Sequence, residues 1–205
     1  MITLYDYWRS SASYRLRIAL GLAGLEWETV TIDLLSGEHK SGDHLQRNPQ
    51  GLVPVLEIDG HQFIQSIAIL EYLEETRDLG WLPKNPVDRA HVRALTHAIA
   101  MEIHPVCNVS VARFAAENSD GGITMASWMR EFIPPRLEAV EAMLKGGSHC
   151  FGDDVTLADI CLVPQLYNAR RWECDLSGIP NLVRIDTMLN EVPAFAAAHP
   201  DRTPH

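Results

Sequence analysis

The sequence predicts an α/β domain of β-α-β then β-β-α order over residues 1–80, joined to an all-helical domain over residues 87–205. Three observations carry this expectation. Short alternating apolar runs are interleaved with helical patterns up to about residue 78, a stretch bearing Pro83 and Pro86 follows, and nearly everything beyond has helical period.

The run ITLYDY alternates as a strand. From Ser11 the apolar residues Leu16, Ala19, Leu20 and Ala23 fall at helical spacing, and Gly24 closes the helix. WETVTID reads as a second strand, followed by an irregular stretch. LVPVLEID reads as a third, with an Asp59-Gly60 turn into HQFIQ and then the helix SIAILEYLEETR. Pro54 cannot donate to a sheet ladder, so it marks either an ordinary trans proline on an edge strand or a special turn. A cis Val53–Pro54 bond would turn the Val53 backbone outward, where it could pair with an extended peptide-like ligand. Beyond the linker LGWLPKNPVD, helical patterns cover about 88–116, 124–145, 156–172, 182–190 and 193–198, with breaks at NSDGG and Gly146-Gly147. Thr156 and Asp159, three apart, form a capping box for the helix that ends in Arg170 and Arg171.

Composition restricts the partners. With 27 acidic against 17 basic residues the formal charge is −10, which argues against nucleic acid or an anionic membrane surface. An anionic substrate then needs locally concentrated arginines. No apolar run approaches a membrane span and no targeting segment is recognisable at the N-terminus, so a soluble cytoplasmic protein is expected. Cys107, Cys150, Cys161 and Cys174 show neither C-x-x-C nor zinc-type spacing, and the nine histidines form no ligand motif, so neither disulfides nor a metal site is expected.

At YWRSSASYRLRIAL, Arg9, Ser10 and Ser11 stand where a strand gives way to a helix. Unpaired N–H groups and the helix dipole favour an anion there. A serine that merely caps the helix beside a solvated arginine is the plainer alternative. Gln65-Ser66 is a second such junction, able to receive a carboxylate or simply to cap its helix.

The stretches RSSASYRLRIAL, NPQGLVPVL, IQSIAILEYLEE and TLADICLVPQLYNARR, in that order, resemble the zeta class of the cytosolic glutathione transferases, from Ile2 to about Pro200. The resemblance implies a thioredoxin-like first domain, the glutathione-transferase architecture, glutathione as a recycled cofactor and a homodimer. It also implies cis–trans isomerisation of a small diacid, either maleylacetoacetate in tyrosine and phenylalanine breakdown or maleylpyruvate in gentisate breakdown. Conjugation of α-halo acids and a non-catalytic binding module are further alternatives. A thioredoxin-like domain normally does its chemistry with a cysteine at the first helix, and this one has none, so the ligand must bring the thiol.

By the same resemblance Ser10, Ser11 and Arg9 favour the glutathione thiolate, with Ser10 the principal donor. Val53 pairs with the cysteinyl unit, Gln65 and Ser66 hold the γ-glutamyl carboxylate, and His104 and Asn108 in IHPVCN reach toward glutathione. Cys107 stands where glutamine or asparagine is more usual. His39 or Lys40 would meet the glycyl carboxylate unless both are solvated loop charges. Arg9 and Arg171 bind the substrate's carboxylates. The signature usually reads S-S-C, and Ala12 replaces its cysteine.

Overall fold

The computed structural model describes residues 1–203, which form two compact units: Met1–Leu79 together with the tail from Glu191 onward, and Gly80–Asn190. The first unit runs β1 (Thr3–Asp6), α1 (Ser11–Leu22), β2 (Glu28–Thr31), α2 (Gly42–Arg47), β3 (Val55–Ile58), β4 (His61–Ile64) and α3 (Ser66–Arg77). The strands lie in the order β2-β1-β3-β4, with β1 and β2 parallel and the other pairs antiparallel. The α1 crossover makes the first pair parallel, and the tight Asp59-Gly60 turn makes the last antiparallel.

Pleating sends Leu4 and its partner Leu56 to one face, and Tyr5 and its partner Val55 to the other. Leu16, Ile18, Ala19 and Leu20 of α1 and Ile69, Leu70 and Leu73 of α3 are fully buried. On the other face Tyr5, Val55 and Ile32 gather with the partly buried Leu34, Val53 and Ile64. Each fully buried leucine, isoleucine or valine among these contributes about 1.5–3 kcal/mol, and the alanine and the partly buried residues contribute less.

The second unit holds α4 (Pro86–His97), a π-helical turn (Ala98–Ile103), α5 (Val109–Glu117), α6 (Met125–Met143), α7 (Leu157–Arg171) and α8 (Pro180–Leu189). At its centre is α7, which is buried nearly all round from Leu157 to Leu166 and packs on α4, α6 and α8. The Asp159 carboxylate reaches back to accept the Thr156 N–H at 2.8 Å and its hydroxyl at 2.7 Å, as the capping motif predicts. Among the described residues no helix is long and apolar enough to cross a membrane.

Three expectations need correction. The irregular stretch after β2 contains α2, a helix of only 6 residues, too short to show a period. The pattern read as one helix over 88–116 is broken: the backbone widens so that His104 N–H bonds to Ile99 O, five residues back, and Pro105 then forces a turn before α5. The tail does not belong to the helical domain. Its helix α9 (Pro193–Ala197) packs on α1, so closely that a Cβ added at Gly21 would lie 3.3 Å from the Ala194 side chain. Phe195 is fully buried, and the buried Arg17 donates from Nε to the Ala198 carbonyl at 3.1 Å. An apolar segment so short carries no information about which core it joins.

Candidate active site

Strand register brings the first unit's predicted residues together. Tyr5 pairs with Val55, and Val55 with Ile64. The C-terminal ends of β1 and β4 and the N-terminal end of β3 therefore share one end of the sheet. From that end emerge Arg9-Ser10-Ser11, Val53-Pro54 and Gln65-Ser66.

At the first junction Ser10 is the N-cap of α1, its Oγ accepting the Ser13 N–H at 3.2 Å. This is the plain capping role, but it uses only a lone pair and leaves the hydroxyl proton to donate. Ser11 is the buried first residue of the helix. Arg9 is exposed, its guanidinium carbon 4.0 Å from the centroid of the Trp8 ring, a stacking that restricts where the fork points. The first turn of α1 carries no acidic residue, so no carboxylate within it offsets the positive end of the helix.

At the second junction Gln65 caps α3 and Ser66 is the first helical residue, so Ser66 does not serve as the cap. Gln65 has φ +70°, ψ +105°, a conformation costly for a residue with a side chain. Its amide donates to Gln50 Oε1 at 2.7 Å. No side chain caps α3 and no acidic residue lies in its first turn, leaving its N–H groups for an anion. Arg15 Nη1 donates to Ser66 Oγ at 3.2 Å, with both residues buried.

The Val53–Pro54 bond is cis. The segment before it is anchored through the Leu52 carbonyl, which lies 2.9 Å from both His44 Nε2 and Asn48 Nδ2. Among the described residues Val53 makes no backbone hydrogen bond, which suits a ligand that pairs like a strand. Gly51 has φ +60°, and a Cβ there would meet the His39 carbonyl at 2.9 Å. Lys40 donates to the Gln50 carbonyl at 3.3 Å, and burial, then the charges of Lys40 and His44, hold the His39 pKa below its ordinary value.

His104, Asn108 and Arg171 lie in the second unit. The Asn108 side-chain carbonyl caps α5 through the Ser110 N–H at 3.0 Å, leaving its amide as the group able to donate. Cys107 is buried and its thiol is pushed up to about 11, a poor partner for a polar ligand. Arg171 ends α7, exposed, its guanidinium carbon 5.1 Å from the Trp172 ring centroid. Arg170 instead ion-pairs with the buried Asp186 of α8 at 2.6 Å, a structural tie. Sequence reasoning passed over Gln50 and Arg15. The signal for Arg15 was its position four residues after Ser11 and four before Ala19, on an apolar helical stripe.

Residues 1–75 match the family model for the glutathione S-transferase N-terminal domain. The maleylacetoacetate isomerase of Rhizobium meliloti is 56% identical over 204 residues, covering 97% of this chain and 96% of that one. The holo structure of a bacterial zeta-class maleylpyruvate isomerase superposes with a TM-score of 0.93 at 37% identity, covering 98% of each chain. The chain belongs to the zeta class of glutathione transferases. Another similar structure, a maleylacetoacetate isomerase from Anaeromyxobacter dehalogenans with glutathione bound in its active site, has a TM-score of 0.89 at 43% identity, covering 100% of this chain and 97% of that one. The zeta-class domain here offers two helix N-termini without acidic residues and a cis-proline segment with an unused backbone, a donor set that fits an extended peptide thiol bearing a carboxylate.

Proposed function

We propose that this zeta-class chain uses glutathione to isomerise maleylacetoacetate to fumarylacetoacetate. The observation that carries the reading is the convergence of the Ser10 and Gln65-Ser66 junctions with Val53 at one end of a sheet whose first helix has no cysteine. Its relatives' names favour maleylacetoacetate over maleylpyruvate.

Glutathione, when bound, supplies the thiolate that adds to the cis double bond and later leaves it, so that the bond rotates in between. A free thiol titrates near about 8.5 and is mostly protonated at neutral pH. The Ser10 hydroxyl, the N-terminus of α1 and the Arg9 charge all favour its ionised form. Ser11 adds a second hydroxyl there. Val53 offers a backbone N–H and C=O to the cysteinyl unit, and Gln65 and Ser66 take the γ-glutamyl carboxylate. His104 and Asn108 give further polar contacts, and Arg9 and Arg171 hold the substrate's carboxylates and stabilise negative charge that develops beside them. His39 or Lys40 takes the glycyl carboxylate: the Lys40 ammonium keeps two donors beside its bond to the Gln50 carbonyl, and a neutral His39 ring can still donate an N–H.

The test is turnover of both maleylacetoacetate and maleylpyruvate with catalytic glutathione. Preferential isomerisation of maleylacetoacetate without glutathione consumption is the expected result. Preference for maleylpyruvate would reassign the substrate, and glutathione consumption would indicate conjugation instead. The reading includes a cytoplasmic homodimer, for which sedimentation should give about twice the 22.9 kDa chain mass.

A further inference from the structure

The buried Arg15 has a geometry that the site's chemistry does not yet use. Its side chain is 2% exposed, although it carries a charge at every accessible pH. Withdrawing a guanidinium from water costs several kcal/mol and has to be matched by hydrogen bonds and charge. One of those bonds, at 3.2 Å, goes to the hydroxyl of Ser66, which is 6% exposed at the first position of α3.

The direction of that bond is fixed. A guanidinium has only donors, so Ser66 Oγ must accept, and the one proton of the hydroxyl must point elsewhere. The free N–H groups of α3 face the same junction and carry the positive end of the helix dipole. A serine polarised by a cation behind it becomes a stronger donor to an anion in front.

We propose that Arg15 is a positioning residue that holds the Ser66 hydroxyl as an outward donor and adds a buried positive charge behind it. Arg15 thereby sets the preference for a thiol bearing an α-carboxylate on its γ-linked residue. The proposal rests on the reading that Gln65-Ser66 receives the γ-glutamyl carboxylate.

The experiment is calorimetric titration of the full chain with two thiols: glutathione, and 4-aminobutyryl-cysteinyl-glycine, which is glutathione without that carboxylate. Wild type should prefer glutathione, and Ser66→Ala should reduce the preference. Arg15→Met, with its fold checked by circular dichroism, should weaken glutathione about tenfold or more and the analogue less than about twofold. Arg15→Lys keeps the charge without the planar fork and should show a smaller loss, again confined to glutathione. If Arg15→Met does not fold, the lysine variant decides by the same criterion. Equal weakening of both thiols, or weakening of neither, would overturn the proposal while leaving the Ser66 result intact. A wild type that does not distinguish the thiols, or a Ser66→Ala variant that keeps the full preference, would remove the carboxylate site itself and Arg15's role with it.

Discussion

Ser10 caps α1 through a lone pair, so its replacement has two separable effects. Ser10→Ala should cost the helix about 1 kcal/mol, and it should also raise the pKa of the bound thiol and lower turnover. Absorbance titration of bound glutathione checks this, and an unchanged thiol titration would assign Ser10 to capping alone. Arg170 ion-pairs with the buried Asp186, and the exposed Arg171 has its guanidinium carbon 5.1 Å from the Trp172 ring centroid. Arg171→Ala should raise the KM for the diacid about tenfold or more with little change for glutathione, and Arg171→Lys should fall between. Steady-state kinetics measures both, and unaltered KM and kcat in the alanine variant would leave Arg171 a solvated helix-end charge. The helix-boundary positions of Ser10, Ser66 and Arg171 could be read from sequence because punctuation residues announce them. Gln50 could not, since its partner lies 15 residues away, and Arg15 showed only as a charge on an apolar stripe, its partner being 51 residues away.

Long periodic elements were the readable ones. The helix at 66–77 and the one ending at Arg171 have the predicted bounds within a residue, and the capping box forms. The π-helical turn and α2 went unseen because local widening of a helix, or a helix of fewer than two turns, leaves the apolar period unchanged. The buried tie between β1 and α1 was equally invisible: Arg17 Nη1 donates to both Asp6 oxygens at 2.8 Å, and Nη2 donates to the Trp8 carbonyl at 3.0 Å. Arg17→Met strands the Asp6 carboxylate in the interior and should destabilise by about 3–5 kcal/mol. Adding Asp6→Leu should recover part of that loss, as urea denaturation can measure. Recovery of nothing would mean that Arg17's bonds to Trp8 and Ala198 dominate.

For the whole molecule, none of the four cysteines is in a disulfide, all four are buried, and none lies in the first unit. Burial raises the thiol pKa of Cys150, Cys107 and Cys174, that of Cys107 from an ordinary 9.0 to about 11. Between those values the unfolded chain releases thiol protons that the folded chain retains. Stability is therefore unaffected by these groups below about pH 9 and falls as the pH rises toward 11. Urea midpoints across that range should decline, less so in a Cys107→Ala variant, and an identical decline in both would exclude Cys107 as a contributor. At neutral pH Ellman's reagent should react slowly with the native protein, and rapid labelling would mean that one of the four thiols is accessible.

The tail that packs on α1 also bears on how the protein is made. During synthesis the sheet, α1 and α3 emerge first, yet the segment that covers Gly21 and meets Arg17 is translated after the entire 80–190 unit. The first unit is thus the first to begin folding and the last to be completed. A chain truncated after Asn190 would hold all the residues of the helical unit but leave the α1 face of the thioredoxin-like unit uncovered, the form on which a chaperone or protease would act.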